Sequence, residues 1–102
     1  MIKHIVMWRL KDLAHGNDKA TNAQIIKTRL EALQPRIPGL LEMEVGVSFA
    51  ATEHGADLIL VSKFASHGAL DGYQSHPEHL ALVPFVVEAQ SERRVVDYET
   101  LR

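Results

Sequence analysis

A chain of 102 residues, 46% hydrophobic and 24% charged, has room for one hydrophobic core and not for two. Eleven Lys and Arg against thirteen Asp and Glu leave a formal charge of −2 with the basic residues scattered, which argues against a nucleic-acid partner. The absence of cysteine excludes disulfides, thiolate metal sites and a thiol nucleophile, and it fits a reducing compartment.

The first residues, Met1 to Arg9, become charged too early for a signal peptide. The longest apolar run elsewhere, Leu80 to Val87, contains Pro84 and falls well short of the ~18 residues of a membrane span. The expectation is a cytoplasmic chain with no membrane contact, forming a single domain over residues 1–102. Residues 2–10, rich in Ile, Val, Met and Trp, predict a first strand. Gly16-Asn17-Asp18 marks a loop over 14–19. A helix of about 16 residues follows, with Thr21 and Gln24 fitting a capping box and Asp18 offering an earlier start. Ile26, Leu30 and Leu33 form its apolar stripe, and Pro35 with Pro38-Gly39 ends it. Residues 41–49 alternate as a second strand, placing Leu41, Met43, Val45, Val47 and Phe49 on one face. Glu53-His54-Gly55 marks the next loop, and the run Leu58 to Val61 predicts a third strand over 57–64. Ser66 can cap a short helix reaching about Gln74. Pro77 breaks that helix and opens the next, which runs to about Gln90 with a second interruption at Pro84. A last strand over 93–99 alternates through Arg94, Val96 and Tyr98.

The element order is β-α-β-β-α-β, so the predicted fold class is α+β, ferredoxin-like. Strands one and three are apolar on both faces, as central strands are, whereas two and four mix in charges. The predicted antiparallel sheet order is therefore 4-1-3-2, with the helices packed on one face. Half of the apolar residues of strands one and three then point away from the helices. A second copy of the chain, sheet against sheet, is the simplest cover, giving a homodimer.

With cysteine absent, histidine and tyrosine are the candidate proton carriers. His15, His54 and His67 lie in or beside polar loops and read as surface residues. His4 is different, because by period two it shares a face with Val6, Trp8 and Leu10. An imidazole there is either satisfied within the core or set in a polar cavity with Trp8. Tyr73, His76 and His79 are spaced by three, and the break at Pro77 can turn His79 inward. A tyrosine and a histidine facing one cavity provide an acid and a base, suited to removing a proton next to a carbonyl. The same residues also serve as a core tyrosine and helix-capping histidines. His76-x-x-His79 makes a poor metal pair with a proline between, and the sequence calls for no metal and no cofactor. No phosphate-cradling glycine loop or nucleophile elbow is present.

Several segments together resemble the stress-responsive α/β-barrel (Dabb) family. They are Lys3-His4-Ile5-Val6, Ile37-Pro38-Gly39-Leu40 leading into Glu44-Val45-Gly46, Tyr73-x-x-His76-Pro77-x-His79, and the ending Arg93-Arg94-Val95-Val96-Asp97-Tyr98. The resemblance implies a dimeric α/β barrel built from two ferredoxin-like halves, with a cavity in each between sheet and helices. In a polyketide-cyclase member of that family the motif tyrosine and last histidine act as an acid/base pair. These correspond to Tyr73 and His79 here, with His4 as a cavity histidine and His76 as the histidine before the proline. The main expectation is a small homodimeric Dabb protein whose pocket takes a small apolar or carbonyl-containing molecule, with His4, Trp8 and His76 as contacts. An acid/base enzyme using Tyr73 and His79, for aldol cyclisation or isomerisation, is the first alternative. A cofactor-free or heme-using monooxygenase on the same dimeric barrel is the second.

Overall fold

In the computed structural model, which describes residues 1–102, hydrophobic patterning resolves into one sheet with helices on one side. In chain order the elements are β1 (Ile2–Leu10), a short hairpin of β2 (Leu13–Ala14) and β3 (Asn17–Asp18), then α1 (Lys19–Glu31). A single 3-10 turn at Gln34–Arg36 leads to β4 (Leu40–Val47) and β5 (Leu58–Phe64). Three short helices, α2 (His67–Ser75), α3 (Pro77–Leu80) and α4 (Val83–Ala89), precede β6 (Gln90–Glu99). The main sheet is antiparallel with order β4-β5-β1-β6. Setting the hairpin aside, this is the predicted 4-1-3-2 read from the opposite edge.

Local chemistry accounts for most boundaries. The helix α1 starts at Asp18, whose carboxylate accepts the Thr21 backbone N–H at 2.8 Å, so Thr21 is not the cap. Ala23, Ile26 and Leu30 turn its apolar side onto the sheet, and Leu33, just past its end, is buried with them. The segment read as a plain loop over 14–19 closes as a hairpin instead. His15 and Gly16, both at positive φ, form its two-residue turn. The His15 ring stacks on Phe85 with centroids 4.0 Å apart, tying the turn to α4. Gly39 also has positive φ, at +79°, and a Cβ there would stand 2.6 Å from the Ala69 Cβ, so only glycine fits the entry to β4.

One strand differs from its predicted pattern. A register shift between Leu40 and Glu42 puts Leu40 in the core and leaves Leu41 exposed. Beyond it Met43 and Val45 face inward as expected. Val47 is as exposed as Leu41, and Phe49 lies past the strand end in solvent. The interruption expected at Pro84 is present: α3 ends at Leu80 and α4 starts at Val83, with Pro84 in its first turn, where its missing N–H costs nothing.

Asn22 is the buried polar residue that pattern reading of α1 passes over. Its Nδ2 donates to the Ala14 carbonyl at 3.0 Å and its Oδ1 accepts from Asn17 Nδ2 at 3.1 Å, pinning the hairpin to the helix. Asn22→Leu, close in volume but unable to bond, is expected to cost about 1–3 kcal/mol in a urea melt. A loss below half a kcal/mol would show the hairpin is held otherwise.

The far face of the sheet is uncovered. Ile5 pairs with Val61 and Val96, and Met7 pairs with Ile59, so their side chains share the side opposite the helices. Met7, Val96 and Tyr98 are each more than two-fifths exposed, an apolar patch on an otherwise closed core.

Candidate functional site

The site begins with a helix whose length is set at both ends. Ser66 accepts the Ala69 N–H at 3.1 Å and starts α2, which turns Leu70 and Tyr73 inward. Pro77 stops it by holding His76 extended, at φ −65° and ψ 134°. His76 then caps α3, its Nδ1 accepting the Glu78 N–H at 3.1 Å. The new helical start redirects the next turn, bringing His79 back toward Tyr73. Their rings lie 4.3 Å apart between centroids.

The opposite wall is β1. His4, Val6 and Trp8, alternate residues of this strand, are buried on its helix-facing side. Between the two walls lies a cavity of about 320 Å³, lined by thirteen residues of which nine are hydrophobic. That size and lining suit a small, mostly apolar ligand. His4, Trp8, Tyr73 and His79 all line it; His76 does not. Expected as a ligand contact, His76 instead spends its imidazole on the α3 cap. The two motif histidines diverge, and no three His, Asp or Glu side chains are grouped to hold a metal ion.

Two lining residues, and one that holds His4 from outside the cavity, were not singled out from the sequence. Asp97 of β6 lies directly across from His4, and its carboxylate accepts a hydrogen bond from His4 Nδ1–H. Because a carboxylate only accepts, His4 Nδ1 is the donor of this bond. Gln90 and Arg93, also from β6, line the cavity where β6 runs past α4. The period of β6 held the signal: Arg93, Val95 and Asp97 form the face opposite Arg94, Val96 and Tyr98. Their use depended on register with β1.

Environment separates the two proton carriers. Tyr73 is only 1% exposed, and burial pushes its phenol well above the usual tyrosine range, with the Arg93 charge opposing the shift. Its hydroxyl is therefore a standing donor. His79 moves the other way: burial lowers it from 6.5, a hydrogen bond to the Gln74 carbonyl opposes this, and His4, Arg93 and His76 lower it further. The Gln74 carbonyl accepts from Nδ1–H at 3.3 Å, so the neutral imidazole keeps its lone pair on Nε2. Behind them Phe64, fully buried, packs 5.2 Å from the Tyr73 ring and 6.4 Å from His4. The Trp8 Nε1–H is buried without any acceptor.

Comparison with known proteins identifies the fold and its family. The family model described as the stress responsive A/B barrel domain matches residues 2–100. Among solved structures, a dimeric ferredoxin-like protein of unknown function from Bacteroides fragilis superposes with a TM-score of 0.84 at 30% identity, covering 97% of this chain and 95% of that one. A Dabb family protein from Mesorhizobium loti gives a TM-score of 0.77 at 22% identity, covering 99% and 97%. A candidate antibiotic biosynthesis monooxygenase from Nitrosomonas europaea gives 0.79 at 17% identity over the whole of both chains, a likeness of fold alone. No curated protein matches the chain.

Proposed function

The chain belongs to the stress-responsive A/B barrel domain family, and from that premise we propose that it acts as a homodimeric pocket protein in which His79 and Tyr73 move a proton next to a ligand carbonyl. The observation that carries this reading is the convergence of the two side chains in one apolar cavity, one held protonated and the other held neutral. His79 Nε2 takes a proton from the carbon beside the carbonyl. The Tyr73 hydroxyl donates a hydrogen bond to the carbonyl oxygen, whose negative charge grows as the enolate forms. Their electrostatic separation means neither group has to change state before the reaction starts. His4, aligned by Asp97, supplies a further polar contact.

The chemical test is exchange of the α-protons of a 1,3-diketone such as acetylacetone in deuterated buffer, followed by NMR. The protein is expected to accelerate exchange, and His79→Gln to reduce that acceleration by roughly 10²–10⁴-fold. Tyr73→Phe is expected to reduce it by about 10² or more while binding persists. Because burial lowers the His79 pKa, the base stays unprotonated as pH falls through 6.5, and the acid limb of the profile lies below that value. A limb centred above 6.5 would point to another base. Exchange no faster than in buffer would remove catalysis and leave ligand holding as the role of the pocket.

The dimer in this proposal is formed by the uncovered sheet face. Support comes from the apolar patch around Ile5, Met7 and Val96, and from the dimeric state of the Bacteroides fragilis relative. The monooxygenase-like neighbour, at 17% identity, shares the fold and lends no chemistry to this chain.

A further inference from the structure

The polar groups of the cavity differ in kind. Tyr73, His4 and His79 can donate or accept, whereas Arg93 of β6 can only donate. Arg93 is the direct cross-strand partner of Trp8, so both side chains rise from the sheet on the cavity side. The Arg93 guanidinium makes no ion pair, although Arg36, Lys11, Lys19, Lys27 and Lys63 each lie within 4 Å of a carboxylate. No carboxylate lines the cavity, and Asp97, on the same face of β6, is already engaged by His4. Arg93 is exposed at the rim of the cavity, and its guanidinium can only donate. A ligand that engages it therefore presents an acceptor with negative charge, and the planar fork matches a carboxylate.

We propose that Arg93 anchors the carboxylate of an otherwise apolar small acid in this cavity. The proposal rests on the cavity being the ligand site and names the class of molecule it takes. With the carboxylate on Arg93, the apolar body lies along Val6, Leu60 and Val86. The Arg93 charge acts on Tyr73 and His79, so a carbonyl a short way along the ligand reaches that pair.

The chain has a single tryptophan, and it lines the cavity, so its fluorescence reports occupancy directly. The experiment titrates the protein with octanoate and, in parallel, with methyl octanoate, an uncharged ester of the same chain. Wild type is expected to bind octanoate at least tenfold more tightly than the ester. Arg93→Gln is expected to abolish that preference while leaving ester affinity within twofold. Arg93→Lys, which keeps the charge and loses the fork, is expected to retain part of it. Equal affinity for acid and ester in wild type, or a preference that survives Arg93→Gln, overturns the carboxylate anchor and leaves the pocket reading intact. If neither probe changes Trp8 fluorescence at millimolar concentration, the pocket reading falls and takes this proposal with it.

Discussion

Ile5→Glu is expected to convert the protein from a dimer into a folded monomer of 11.4 kDa. Ile5 lies on the central strand, between Val61 and Val96, on the sheet side that no helix covers. A carboxylate there is harmless in a monomer, where it faces water. In a sheet-to-sheet dimer it is buried without a partner, and a twofold axis buries it twice. Each such charge costs about 3 kcal/mol or more, so the pair weakens association by roughly 10⁴-fold or more. Sedimentation at micromolar concentration is the measurement, with far-UV circular dichroism to show that the sheet survives. Val96→Glu, on the exposed edge strand of the same face, serves as a second variant whose own fold is less at risk. A dimer unchanged by both would place the contact elsewhere.

Phe64→Ala is expected to destabilise the protein by about 3–5 kcal/mol, because truncating a fully buried ring loses its transfer energy and leaves a hole that close-packed neighbours fill only partly. The size of the effect follows from position. Phe64 closes the end of β5 and supports two rings of the site, Tyr73 and His4. Its loss should therefore be felt twice, as a fall in melting temperature of roughly 12 °C or more and as weaker discrimination by the cavity. Phe64→Leu, which refills most of the volume, should recover at least half of the stability. Urea melts at fixed protein concentration separate the cases. A change below 1 kcal/mol in the alanine variant would mean that this part of the core relaxes freely.

Much of the scaffold was readable in advance, and particular residues show why. The unbroken run from Leu58 to Val61 and the apolar first strand marked the two central strands, since a strand covered on both faces has no polar side to show. Ser66 and Pro77 marked the ends of α2, since a capping hydroxyl and a missing N–H act within one helical turn. The same proline led to His79 facing Tyr73. Where the reading went astray, a longer-range choice intervened. Leu41 was expected inside by strict alternation, and a one-residue shift exchanged it for Leu40. His76 was expected among the ligand contacts, and the extended backbone imposed by Pro77 made it a cap instead.

The sequence by itself determined the order of the four long strands and the helices between them, the strand order, an apolar surplus on one sheet face, and that His4 shares a face with Trp8. Periodicity, caps and prolines operate over a few residues and need nothing else. Only the tertiary structure decided that Asp97 holds His4 from 93 positions away, that Arg93 stands beside Trp8, and that the indole N–H is left unpaired. Those facts depend on the register of β6 against β1. That register is set by packing of the whole sheet, because a slip of one residue would turn every side chain of the strand to the other face.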